Sequence, residues 1–252
     1  VPANLEYCPT AHPVRAVTLV VPGLNVIPSA MQALVEWLND GGSHVFLVKL
    51  SGHHADSVPI MDVTRTIWET DMLNGYEAAR RLAEEHAVPL YFLGYSLGAL
   101  LGQSLLSMPG RDIRFDRQVL FAPATAIRKR NYLLKLLFGW DSLTLPSYAP
   151  ERYKANKRLP MSIYKIMFGM EAELWKAGRV SVPTLVFLDP RDELISYKKV
   201  RRFFGMGAVI VPLSSRMRGR YGGYHHLIIN ASTMGETNWA LVVEKMRSFL
   251  IF

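Results

Sequence analysis

The chain has 252 residues, half of them hydrophobic, and a formal charge of +8. That length and apolar fraction suffice for one large α/β domain, or one with an insertion, so no disulfide or metal staple is needed; the lone Cys8 has no partner for a disulfide, and no Cys/His spacing suggests zinc. The basic balance comes with no nucleic-acid motif and no aromatic-basic platform, so no nucleic-acid partner is expected, and no run approaches a transmembrane span.

Val17-Thr18-Leu19-Val20-Val21 reads as a buried strand running into the tight loop Pro22-Gly23-Leu24-Asn25. Pro28 opens a helix with Ala30, Leu34, Trp37 and Leu38 on one face, ended by Gly41-Gly42. Cys8, ahead of all this, is expected near a frayed end. Val45-Phe46-Leu47-Val48 is the next strand, followed by the loop Leu50-Ser51-Gly52-His53-His54. A long helix then carries Ile67, Trp68, Met72, Tyr76, Ala79 and Leu82 at helical spacing.

The apolar run at Tyr91-Phe92-Leu93 leads into Gly94-Tyr95-Ser96-Leu97-Gly98, and an apolar helix follows. Strand, sharp turn and buried helix around Gly-x-Ser-x-Gly is the context of a nucleophile elbow. The turn strains the serine backbone, and side chains at the flanking glycine positions would collide. The helix N-terminus beneath Ser96 favours developing negative charge.

Gln118-Val119-Leu120-Phe121 is the next strand. From about Ala124 to Arg179 the alternation of strand and helix is suspended. This stretch is basic and aromatic, with short amphipathic pieces at Leu133–Phe138 and Ile163–Phe168. It is expected as a cap insertion, residues 124–179, on a core formed by 1–123 and 180–252. Within it Leu133, Leu136, Leu137, Phe138, Ile163, Ile166, Met167 and Phe168 are expected to line an acyl pocket. Arg128, Lys129, Arg130, Lys154, Lys157 and Arg158, with Arg216, Arg218 and Arg220, would face an anionic membrane surface. Thr184–Leu188 and Val209–Val211 are the last strands, and Thr233 to Phe252 the closing helix, with Thr233 and Glu236 as its capping box. Alternating strands and helices predict a mostly parallel sheet with helices on both faces.

An acyl-transfer serine needs a base, and the base an orienting carboxylate. Asp189-Pro190-Arg191-Asp192 follows the Thr184–Leu188 strand, and His225-His226 follows the last strand. The order is serine, acid, histidine, with two candidates each for acid and base.

These motifs resemble the α/β-hydrolase superfamily of serine esterases and lipases, close to its monoacylglycerol lipase and small carboxylesterase branch. The resemblance covers nearly the whole chain except the insertion. It implies an α/β-hydrolase fold and hydrolysis of a small or lipid ester without a cofactor or metal. The same triad would serve a thioesterase or acyltransferase, and a non-catalytic binding protein on this fold is the contrasting alternative. The family's Gly-x-x-Asp-x-hydrophobic turn matches the acid to Asp192, with Asp189 in the glycine's place. The apolar run Leu227-Ile228-Ile229 matches the histidine to His226 rather than His225. Where the family has His-Gly this chain has Pro22-Gly23, which implies Leu24 and Leu97 N–H groups as the oxyanion hole. Gly23, Asn25 and Tyr95 are the expected substrate-binding residues. His53 and His54 match the family's Gly-His-Gly loop and read as loop and packing residues.

Overall fold

Runs of branched and aromatic residues form the strands. The structure, a computed structural model describing residues 2–147, 149–178, 181–214 and 224–251, joins seven of them in one sheet. The first half of the chain gives β1 (Leu5–Cys8), β2 (Ala16–Val21), α1 (Gln32–Asp40), β3 (Ser43–Val48) and α2 (Arg65–His86). It continues with β4 (Leu90–Tyr95), α3 (Leu97–Leu106) and β5 (Arg117–Phe121). A separate pair, β6 (Thr144–Pro146) and β7 (Arg158–Pro160), precedes α4 (Met161–Ala177). Then come β8 (Thr184–Leu188), α5 (Tyr197–Phe204), β9 (Ala208–Pro212), α6 (Ala231–Met234) and α7 (Glu236–Phe249).

The sheet order is β1-β3-β2-β4-β5-β8-β9, and its pairs are parallel except β1 with β3. β2, β3, β4 and β8 are buried along their whole length, which is why they read as unbroken apolar runs rather than alternating ones. α2 buries Trp68, Met72, Tyr76 and Ala79 at the predicted spacing, and the Thr64 hydroxyl caps its first turn. The candidate site lies at the carboxyl ends of β2, β4, β8 and β9, the end of a parallel sheet where ligands bind.

Three expectations need correction. Cys8 does not fray: it ends β1 and pairs with Val45, adding an antiparallel edge. The closing segment is two helices, broken at Gly235, where φ is +86° and an L side chain would be strained. The capping box accordingly sits earlier, between Asn230 and Thr233, rather than between Thr233 and Glu236.

The 124–179 stretch also differs from expectation in part. A 3-10 helix at Lys129–Leu137 packs Tyr132 and Phe138 on Phe168 of α4, with ring centroids 5.1 and 5.8 Å apart. Ile163 and Phe168 are core residues, whereas Leu133 and Leu136 are 69% and 77% exposed. Those two leucines stand in solvent rather than on an interior wall, because the other face of the 3-10 helix carries the packing rings. The seat of this segment is polar. The buried Glu171 carboxylate accepts from Ile127 N and Tyr132 Oη, and Lys199 Nζ stands 3.7 Å away. Burial raises the Glu171 pKa, a shift these partners oppose. Arg216, Arg218 and Arg220 lie outside the described residues.

Candidate active site

Ser96 joins β4 to α3 with φ +50° and ψ −109°, a conformation that costs an L residue energy and persists because its surroundings hold it. Its N–H donates to Phe121 O at 2.8 Å, and its carbonyl accepts from Ala124 N at 3.0 Å, so the end of β5 pins the turn. The flanking glycines have specific reasons. A Cβ on Gly94 would stand 2.8 Å from the Ala99 backbone, and one on Gly98 only 2.3 Å from Val21 O. The second contact shows how closely α3 approaches the end of β2.

Ser96 occupies the N-cap position of α3, yet its hydroxyl caps nothing. Its Oγ lies 2.7 Å from His226 Nε2. His226 Nδ1 lies 2.8 Å from Asp192 Oδ2, and Asp192 is fully buried. The other Asp192 oxygen accepts from Leu194 N and Ile195 N, both at 2.7 Å, so both buried carboxylate oxygens have partners. The structure thus brings Ser96, His226 and Asp192 into one hydrogen-bonded chain.

The alternatives pair separately. Asp189 Oδ2 lies 2.9 Å from His225 Nδ1, while its Oδ1 caps the turn by accepting from Arg191 N. Both pairs rest on contacts that the sequence reading did not reveal. Arg128 Nε donates to the carbonyls of Asp192 and Ile195, and Arg128 Nη2 to that of Pro190, bracing the acid turn. Arg128 is therefore a structural brace rather than a free cation on a basic rim. Glu193 accepts from the main-chain N–H groups of His225 and His226. Its signal in the sequence is only that an acidic residue adjoins Asp192.

On the opposite side, Val26 N donates to Gly23 O, closing a turn with Asn25 at φ +60°. That turn bond is made by Val26 N–H and does not involve Leu24 N–H. Leu97 N–H, first of α3, has no carbonyl within its helix to bond. Gly23 lies against Ser96, since a Cβ there would stand 3.1 Å from Ser96 Cβ and 2.7 Å from the Tyr95 ring.

Two expected substrate contacts are turned elsewhere. Tyr95 is buried, its Oη donates to His226 O at 3.0 Å, and its ring lies 5.5 Å from the His226 ring. Asn25 is buried too, and its amide joins Ser147 Oγ, Asn156 O and Asn156 N of the insertion. His53 packs as a buried residue beside Trp68, with Nδ1 3.1 Å from Ser51 O. Among the described residues no group of three or more His, Cys, Asp and Glu side chains could hold a metal ion, and no helix is long and apolar enough to cross a membrane.

This sheet order, with the elbow between β4 and α3, defines an α/β-hydrolase. The chain belongs to the Hydrolase_4 family, serine aminopeptidase S33, whose model matches residues 12–165. Among solved structures it resembles LipS and LipT, two metagenome-derived lipolytic enzymes, with a TM-score of 0.71 at 21% identity over 98% of this chain and 96% of that one. A soluble variant of monoglyceride lipase from Saccharomyces cerevisiae, in complex with a substrate analogue, gives 0.76 at 12% identity, covering 97% and 89%. Est1E from Butyrivibrio proteoclasticus, with ferulic acid bound, gives 0.67 at 16% identity, covering 98% and 93%. No curated protein sequence matches the chain.

Proposed function

We propose that this hydrolase cleaves carboxylic esters, of acyl lipids or small alcohols, through Ser96, His226 and Asp192. The observation that carries the reading is the unbroken chain from Ser96 Oγ through the His226 ring to buried Asp192, with contacts of 2.7 and 2.8 Å. His226 Nε2 takes the Ser96 proton as Oγ attacks the ester carbonyl. Asp192 keeps the other ring proton on Nδ1 and stabilises the imidazolium. Leu24 and Leu97 N–H groups hold the oxyanion. The C–O bond to the alcohol breaks as His226 returns its proton to the leaving oxygen. Water then attacks the acyl-enzyme carbonyl and gives its proton to the same nitrogen, and the Oγ–acyl bond breaks as that proton passes to Ser96 Oγ, releasing the acid and restoring the serine hydroxyl.

Residues 124–179 act as the cap over this site. The neighbours' lipolytic and esterase names support an ester substrate. The test is a panel of p-nitrophenyl acyl esters beside an aminoacyl p-nitroanilide, with Ser96→Ala as control. The expected result is ester turnover, loss of roughly 10⁵-fold or more in Ser96→Ala at unchanged thermal stability, and no anilide cleavage. Near-normal ester turnover by the folded Ser96→Ala protein would sink the reading.

A further inference from the structure

A hydrogen bond from Nδ1 fixes one end of a histidine ring, but the ring still swings if its main chain moves. His226 lies outside helix and strand, so no ladder holds its N–H. Glu193 fills that role. Its Oε1 accepts from His225 N at 2.7 Å and its Oε2 from His226 N at 2.9 Å, one oxygen for each of two successive amides. On the far side of the same residue, Tyr95 Oη donates to His226 O. His226 is thus held at its N–H, its carbonyl and its ring, and what is left free is Nε2, directed at Ser96 Oγ.

Glu193 is itself placed. It adjoins Asp192 in the turn after β8, and its carbonyl accepts from Arg130 Nη2 at 2.9 Å. One turn therefore supplies both the group that orients the ring and the group that anchors the backbone carrying it. We infer that Glu193 is a positioning residue for His226: its carboxylate clamps the histidine main chain so that Nε2 stays within reach of the Ser96 proton.

This rests on the triad reading above, and the experiment separates the two. An amide at position 193 has one acceptor oxygen and one donor nitrogen, so it satisfies one N–H and opposes the other. Glu193→Asp keeps both oxygens but is one methylene shorter. Steady-state hydrolysis of p-nitrophenyl butyrate, fluorophosphonate labelling and thermal melting are measured for the parent, Glu193→Gln and Glu193→Asp. Expected for Glu193→Gln is a fall in kcat of about 10- to 100-fold with KM held within about twofold, because misplacing a base affects the reaction and not substrate affinity. Labelling slows in the same proportion, and Glu193→Asp falls between the two. A parent that neither turns over nor labels would defeat the triad reading itself. An active parent with both variants within twofold in kcat would overturn the clamp. So would KM and kcat failing together in a variant that also melts early. If Glu193→Gln does not fold, Glu193→Asp decides by the same criteria.

Discussion

Asp189 and His225 form a second acid–imidazole pair, 2.9 Å between Oδ2 and Nδ1, beside the pair that reaches Ser96. Both aspartates come from one turn, and Asp192 N donates to Asp189 O at 2.9 Å. Proximity in sequence therefore does not separate the two acids; what each one's histidine touches does.

The first prediction uses that difference. Asp192→Asn removes the acceptor for His226 Nδ1–H and favours the wrong tautomer, so kcat should fall roughly 10³- to 10⁴-fold. Asp189→Asn changes the partner of His225, which stands outside the chain that reaches Ser96, and should cost no more than about tenfold. The same ranking is expected of His226→Ala against His225→Ala. Ester turnover in the four variants checks it, and an inactive His225→Ala beside an active His226→Ala would reverse the assignment.

A second prediction concerns His53, away from the triad. Burial, opposed by contacts to the Ser51 and Leu50 backbone, pushes its imidazole down to about 4. The unfolded chain binds that proton near the ordinary value, so between about pH 6.5 and pH 4 it holds more protons than the folded one. Stability from this group is fully present above pH 6.5 and is lost as pH falls towards 4. The shift from 6.5 to about 4 corresponds to about 3 kcal/mol. His53→Asn keeps a donor for Ser51 O but does not titrate. Its urea midpoint should therefore drop less between pH 7 and pH 4.5 than that of the parent. Equal drops in the two proteins would show that His53 does not carry this dependence.

The third prediction concerns the exposed apolar side chains of the 124–179 stretch. Leu133, Leu136 and Trp140 are exposed, as are Lys129 of the same 3-10 helix as the two leucines and Lys157. Apolar side chains that enter a bilayer surface gain free energy with buried area, and cations add attraction to anionic lipid. Binding to vesicles containing phosphatidylserine should exceed binding to phosphatidylcholine alone and should weaken in high salt. Leu133→Glu with Leu136→Glu should weaken both by at least about tenfold, with hydrolysis of a soluble short-chain ester unchanged. Sedimentation with vesicles measures this, and binding that ignores both salt and the substitutions would remove the membrane role.

The sheet was legible in the sequence because its central strands are buried on both faces, leaving runs such as Val17–Val21 with hardly a polar interruption. β1 was not, since Glu6 and Tyr7 are exposed and the strand depends on pairing with β3. The break at Gly235 is one residue wide, and the apolar face of α7 continues past it closely enough to read as one helix. At the site, the elbow carried its own pattern in Gly94 and Gly98. The partners of Asp192 and Asp189 did not, because which histidine each one meets is decided by tertiary packing. Glu193 acts on main-chain N–H groups, which every residue type except proline offers, so its partners leave no trace in side-chain identity.

Asn25 stands in the turn that carries Leu24 N–H, yet its side chain belongs to the insertion, with Oδ1 accepting from Asn156 N at 2.7 Å and Nδ2 donating to Ser147 Oγ at 2.9 Å. The 124–179 stretch is consequently not a segment that can be exchanged at its two ends alone. A transplanted segment that offered no counterpart to Asn156 would strand a buried amide, at about 1–3 kcal/mol. It would also free the loop beside Ser96 to move. Exchange of this segment is then constrained at an interior contact, and compatible donors are those that bring their own partner for the side chain at position 25.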